Sequence, residues 1–238
     1  MTQPGPPSAS RPNQREVRIQ ANGATLLGDL VIPAGATAIV LFAHGSGSSR
    51  HSSRNRSVAR VLQEAGLGTL LMDLLTPAEE EVDNVTRHLR FDIPLLADRL
   101  TGAVDWLSRL PETRDLLIGL FGASTGAAAA LVAAAASPDA VRAVVSRGGR
   151  PDLAGSALEL VSAPTLLIVG GDDDGVIDLN EQALARLRAS KDMVLVPGAT
   201  HLFEEPGALE QVARLAQQWF TRYLRRPHNT YERLAGRR

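Results

Sequence analysis

Short unbroken apolar runs alternate with longer amphipathic stretches across most of the sequence, and that alternation permits few architectures. Ala38–Ala43, Gly68–Leu74, Leu116–Phe121, Val141–Ser146, Thr165–Gly170 and Met193–Val196 are apolar at nearly every position. Such runs suit strands buried on both faces rather than strands with one wet face. Between them lie Ser53–Ala65, Ile93–Leu110, Ser124–Ala136, Asp178–Ala189 and Leu209–Leu224, which read as helices. The last of these carries Leu209, Val212, Ala216, Trp219, Phe220 and Tyr223 at helical spacing. Strands alternating with helices imply an α/β fold, a mainly parallel sheet covered on both sides. The start differs. Glu16 to Ile19 alternates polar and apolar, Asn22-Gly23 is a hairpin turn signal, and Thr25–Ile32 reads as the returning strand, so an antiparallel hairpin opens the fold.

The 238 residues fit one domain over 15–225. Residues 1–14, rich in Pro and small polar residues, are expected to be a disordered leader, and 226–238 a basic polar tail. The net charge of -1 and the lack of a basic stripe argue against nucleic-acid binding. No apolar stretch approaches the ~20 residues that span a bilayer, so no membrane segment is expected. Met1 to Ser10 has no secretory apolar core, and a cytoplasmic location is the default. There are no cysteines, which excludes disulfides, thiolate metal sites and a thiol nucleophile.

Gly122-Ala123-Ser124-Thr125-Gly126 fits Gly-x-Ser-x-Gly. It follows an expected strand and opens an expected helix, the setting of a nucleophile elbow. Residues flanking the serine in that turn must be tiny, as Gly122, Ala123 and Gly126 are. The bland alternative is a serine that merely caps an Ala-rich helix.

A serine nucleophile needs a base, and the base an orienting acid, in the chain order Ser, Asp or Glu, His for this elbow. Only His201 and His228 follow Ser124, and His228 lies in the tail. His201 sits in a loop after Met193–Val196, where ligands meet such sheets. The acid belongs after Thr165–Gly170, where Asp172, Asp173 and Asp174 are adjacent. The Gly170-Gly171-Asp172-Asp173 spacing favours Asp173, with Asp174 next. A calcium loop would need alternating ligand spacing, which is missing, and no metal or other cofactor is expected. For the oxyanion hole the backbone N–H groups of Thr125 and Ser46 are the candidates, Ser46 from the loop His44-Gly45-Ser46-Gly47-Ser48-Ser49-Arg50-His51. That glycine-rich loop lacks the Gly-Lys-Ser/Thr ending of a phosphate-binding loop.

With these motifs assembled, residues 15–225 resemble the dienelactone hydrolase-like branch of the α/β-hydrolases. The resemblance rests on His44-Gly45-Ser46-Gly47, Gly122-Ala123-Ser124-Thr125-Gly126, Gly170-Gly171-Asp172-Asp173 and Gly198-Ala199-Thr200-His201. It is strongest to small bacterial members with the stretches here spanning His44–His51 and Ser146–Pro151. Some of those carry a fused phosphoribosyltransferase domain, for which this chain has no room. The family's namesake uses a cysteine nucleophile, which this chain lacks, so lactone specificity is not transferred.

The resemblance implies an α/β-hydrolase fold and a serine hydrolase working on a small carboxylic ester through an acyl-enzyme. A thioesterase, peptidase or acyltransferase would use the same triad, and a non-catalytic ligand-binding protein would use the same fold. Arg50, Arg54 and Arg147 fall near expected strand ends, where they would bind an anionic substrate group or brace loops. Residues 75–94 are polar and too short for a lid domain, so an open cleft for short acyl groups is expected. The expected partner is a small-molecule acyl substrate, and a homodimer is left open.

Overall fold

The computed structural model describes residues 14–225. The expected leader lies outside them except for its last residue, and the expected tail lies wholly outside. One eight-stranded sheet runs through the molecule in the order β1-β2-β4-β3-β5-β6-β7-β8. The strands are β1 (Arg15–Ala21), β2 (Ala24–Val31), β3 (Ala38–Ala43), β4 (Gly68–Met72), β5 (Leu117–Ala123), β6 (Val141–Arg147), β7 (Thr165–Gly170) and β8 (Lys191–Val196). β1 pairs with β2, and β2 with β4, antiparallel; all other pairs are parallel. The hairpin turns at Asn22 and Gly23, both with positive φ (43° and 85°), the backbone that an Asn-Gly turn supplies.

Among the described residues six α-helices flank the sheet: α1 (Ser53–Glu64), α2 (Pro77–Thr86), α3 (Ile93–Arg109), α4 (Thr125–Ala136), α5 (Asp174–Arg186) and α6 (Ala208–Tyr223). Period-two alternation along the strands sorts them into two layers. Ile39, Leu41 and Ala43 of β3 join Leu96, Leu100 and Val104 of α3 and the alanines of α4 in one core. Ala38, Val40 and Phe42 of the same strand face the other way, onto Val58 and Leu62 of α1 and Val212, Ala216 and Phe220 of α6. α4 is buried almost all round, which explains why it is nearly pure alanine: it lies between the sheet, α3 and the 3-10 segment Pro151–Leu160 with no wet face to mark.

Three elements differ from the expected ones. β8, at the edge of the sheet, is not buried on both faces: Leu195 is exposed and Met193 and Val194 are half-buried. The polar stretch after β4 holds a full helix, α2, started by a reciprocal capping box: Glu79 N–H donates to Thr76 Oγ1 (3.2 Å) and Thr76 N–H to Glu79 Oε2 (2.7 Å), with Pro77 in the first turn. α5 starts four residues before the expected Asp178, because Gly175 sits inside the first helical turn rather than in the preceding loop. Among the described residues no helix is long and apolar enough to cross a membrane.

Candidate active site

Every element that matters for chemistry meets at the carboxyl edge of β3, β5, β6, β7 and β8. β5 ends at Ala123, and Ser124 takes φ 51° and ψ -122° before α4 begins. A β-carbon residue in that region is strained and is held there by its surroundings. The surroundings are close. A Cβ on Gly122 would collide with the Ala127 backbone, and one on Gly126 with the carbonyl of His44. The turn after β6 then clamps Ser124 itself: Ser124 N–H donates to Arg147 C=O (3.2 Å), and Arg150 N–H donates to Ser124 C=O (3.1 Å). The Ser146–Pro151 stretch thus wraps the strained residue, a role that its spacing alone does not announce.

His201 reaches Ser124 from the loop between β8 and α6. Ser124 Oγ lies 3.4 Å from His201 Nε2, and His201 Nδ1 lies 2.7 Å from Asp173 Oδ2. The second contact fixes the tautomer, with Nδ1–H donating to the carboxylate and Nε2 free to accept from Ser124. The first is long, as such contacts commonly are before substrate arrives. Asp173 is half-buried at the N-cap of α5, while Asp172 and Asp174 are exposed. Phe203, two residues after His201, is fully buried with φ 55°, so the loop is pinned by an aromatic side chain held in a strained backbone. Among the described residues no three His, Asp or Glu side chains converge as metal ligands.

The loop after β3 runs alongside. A Cβ on Gly45 would stand 3.0 Å from that of Ser124. Among the described residues, neither Ser46 N–H nor Thr125 N–H has an acceptor within the protein, and both residues line the same cleft. His44 anchors the loop. Leu74 N–H donates to His44 Nε2 (3.1 Å), which leaves Nδ1–H to donate to Gly45 C=O (2.9 Å). Burial holds the His44 pKa below its ordinary 6.5, so the ring is neutral while it makes both bonds. Beyond the loop the cleft is walled by Leu74, Leu96, Glu80, Asn84 and Arg90.

The three arginines singled out from the sequence part company. Arg50 is committed to acids: its guanidinium bonds Asp73, lies 2.9 Å from Glu16 and 3.8 Å from Asp29, and its N–H donates to Asp73 Oδ1 at 2.8 Å. That network ties the loop after β3 to β1, β2 and the end of β4. Arg54, in the first turn of α1, pairs at 3.2 Å with Glu204, whose side chain is 66% exposed. The Arg147 guanidinium is buried and, among the described residues, meets Asn55 Oδ1 (3.4 Å) and the face of Phe203 (5.8 Å to the centroid) with no acid beside it. Burial, and secondarily the charge on Arg54, lowers its pKa from 12.5 to about 10.

The sequence profile of the dienelactone hydrolase family matches residues 28–225. A solved dienelactone hydrolase from Anabaena variabilis is 65% identical, with a TM-score of 0.89, covering 90% of this chain and 99% of its own. The esterase domain of a Rhodothermus marinus protein shares the fold at 20% identity, with a TM-score of 0.70 over 90% of this chain and all of its own. Proteins of two Mycobacterium tuberculosis strains, each named a putative phosphoribosyl transferase, are 58% identical over 209 residues, which is 88% of this chain but 46% of theirs. The chain therefore spans about half the length of those relatives. The strained serine, its imidazole and the shared framework all converge on one assignment: this chain belongs to the dienelactone hydrolase family of α/β-hydrolases.

Proposed function

We propose that the protein hydrolyses small carboxylic esters through an acyl-enzyme, with Ser124 as nucleophile, His201 as base, Asp173 as the orienting acid and the N–H groups of Ser46 and Thr125 as oxyanion donors. The observation that carries this reading is the line Asp173–His201–Ser124, at 2.7 and 3.4 Å, with the Ser46 and Thr125 N–H groups, which have no acceptor among the described residues, on the adjoining cleft. Each part has a defined task. His201 Nε2 takes the hydroxyl proton as Ser124 Oγ bonds to the ester carbonyl carbon. The carbonyl oxygen gains the negative charge, and the two N–H groups receive it without reorganising. Collapse breaks the bond to the leaving alkoxide, which takes the proton from His201. Water, deprotonated by the same nitrogen, then attacks the acyl-serine, and His201 returns that proton to Ser124 Oγ as the acid departs. Asp173 holds the imidazole orientation and offsets the charge of the imidazolium.

The solved relative's name refers to a lactone substrate, and lactones and open esters present the same carbonyl to this machinery. With no cysteine in the chain, the hydroxyl is the nucleophile.

The test is labelling with a fluorophosphonate, followed by peptide mass spectrometry. A single adduct on Ser124, absent in Ser124→Ala and slowed in a His201→Ala variant, is the expected result. Folded protein that hydrolyses p-nitrophenyl acetate but carries no adduct at Ser124 would overturn the assignment.

A further inference from the structure

Of the two residues that α5 buries, Asn180 and Ala183, one is an amide. The Asn180 side chain is fully buried, and its Nδ2 donates to Val176 C=O (2.8 Å) and to Gly149 C=O (3.0 Å). Its Oδ1 is buried as well and accepts no hydrogen bond among the described residues. A buried acceptor left without a donor is costly, and an apolar side chain of similar volume would avoid that cost. The bond to Val176 does not account for the amide, because it closes within one turn of α5, where the backbone already supplies its own ladder. The bond to Gly149 leaves the helix and reaches a residue 31 positions away.

Gly149 C=O and Arg150 N–H belong to one peptide unit and point in opposite directions across its trans bond. Asn180 holds the carbonyl end. The N–H end donates to Ser124 C=O (3.1 Å). The unit is therefore a strut between α5 and the strained nucleophile, and its tilt decides whether the N–H reaches that carbonyl. A carbonyl that accepts a hydrogen bond also polarises the N–H at the far end of the same amide. The strut is tightly enclosed: a Cβ on Gly149 would collide with Ser146 Oγ and stand 2.7 Å from Ala127 Cβ. Ser124 C=O also accepts from Ala127 N–H (3.1 Å) within its own turn, so the Arg150 bond is the one that reaches it from another element. The start of α5 carries the triad acid. Val176 and Ile177 N–H donate to Asp173 C=O (2.9 and 3.0 Å), and Asn180 bonds Val176 C=O. One side chain thus joins the turn that holds Asp173 to the peptide that clamps Ser124.

We propose that Asn180 is a positioning residue for acyl transfer, which orients the Gly149–Arg150 peptide and through it holds Ser124 in line with the Asp173–His201 pair. The inference rests on the acyl-transfer reading for the role of Ser124. Asn180 touches neither substrate nor reacting atoms. Its effect is to keep the Ser124 Oγ at one distance from His201 Nε2 and from the oxyanion donors, so its loss slows attack and acyl release alike.

The experiment compares rate with stoichiometry in folded protein. Asn180→Leu keeps roughly the volume of the side chain and removes both donors. Asn180→Thr retains a hydroxyl that can bond the Val176 carbonyl one turn back, but cannot reach Gly149, and carries the test if the first variant does not fold. Ala183→Gly is the control, since it loosens the same helix without touching the Gly149–Arg150 peptide. Fluorophosphonate labelling of Ser124 should still reach one adduct per chain in every protein. Its second-order rate should fall about tenfold to a hundredfold in the Asn180 variants, the effect of misplacing a reacting group by a fraction of an ångström to an ångström, and stay near native in Ala183→Gly. On p-nitrophenyl acetate kcat should fall by a similar factor with KM little changed, whereas a merely structural role would lower the urea midpoint and leave the rate per folded molecule alone. Labelling within about twofold of native in a folded Asn180 variant, an equal slowing in Ala183→Gly, or a change confined to KM overturns the proposal. Failure of both Asn180 variants to fold overturns it too, by making the residue a requirement of the fold. Native protein that carries no adduct at Ser124 instead overturns the acyl-transfer reading, and this proposal with it.

Discussion

Three consecutive carboxylates follow β7, and only their orientation separates them. Asp173 turns inward at the N-cap of α5 and accepts from His201 at 2.7 Å, while Asp172 and Asp174 face solvent. Asp173→Asn keeps the shape but offers the imidazole the wrong hydrogen-bonding partner, so kcat should fall about 10³- to 10⁴-fold with KM little changed. Asp172→Asn and Asp174→Asn should stay within about threefold of native, since exposed charges away from the reacting atoms contribute little. Steady-state kinetics on one neutral ester decide it, and equal losses at all three positions would refute the distinction. His44 offers a test on stability. Its folded pKa lies below its unfolded value of 6.5, so below about pH 6.5 the unfolded chain takes up a proton that the folded protein refuses. Stability should therefore drop as pH falls from about 6.5 toward the depressed folded pKa, and this slope should flatten in His44→Gln, which retains an acceptor for Leu74 N–H. Urea midpoints from pH 7.5 to 5 measure it. A single sequence made Ser124, Asp173 and His201 legible because their order and their placement after strands are local signals. Arg147 was less so. That no acid pairs with it among the described residues depends on what α1, 92 residues away at Asn55, presents to it, and no local pattern encodes that.

At the scale of elements, the strands were legible because β3 and β5 are buried on both faces and advertise it with unbroken apolar runs. α2 was not, because its outer face carries Val82 and Val85 while its inner face carries Asp83, the reverse of an ordinary amphipathic helix. The capping box at Thr76 and Glu79 was the signal that would have revealed it. The loop after β3 shows how such elements are coupled. It has little regular structure, yet Arg50 binds it to three strands through Asp73, Asp29 and Glu16. Arg50→Ala leaves Asp73 half-buried without a cation, and Asp29 with only Arg56, 3.1 Å away. The expected loss is about 2–3 kcal/mol of unfolding free energy, below the full cost of breaking a deeply buried pair because water reaches part of the network. Selectivity between neutral and anionic esters should be unchanged, because the Arg50 guanidinium is already saturated with carboxylates. Urea unfolding with paired ester kinetics checks both parts. A stable variant with altered selectivity would return Arg50 to the substrate site.

For the whole molecule, the excursion between β4 and α3 forms one wall of the cleft that Ser46 and Thr125 also line, and the acyl groups expected to fit follow from that wall. In many folds an excursion over a catalytic edge supplies an apolar lid. Here α2 turns its apolar side chains outward: Val82 is 50% and Val85 85% exposed, and Phe91, just beyond the helix, is 56% exposed. Toward the cleft it presents Glu80, Asp83 and Asn84, with Arg90 held by Asp83 beside the Gly47 backbone. The apolar lining is confined to Leu74, Leu75 and Leu96. An acyl chain of two to four carbons can lie against those leucines, but a longer one must cross charged side chains and lose their hydration without an apolar surface in return. Each methylene in a matched apolar pocket contributes about 1–3 kcal/mol to transition-state binding, and with three leucines on this cleft that gain is expected to end after the first few. Across p-nitrophenyl esters, kcat/KM should therefore be highest for C2 or C4 and lower by at least about tenfold for C12. Measured below the critical micelle concentration, a preference for C12 would mean that α2 moves to expose Val82 and Val85 to the substrate. Glu80→Leu is expected to shift the optimum toward longer chains by putting an apolar side chain on the cleft wall, and no shift would place the acyl group elsewhere.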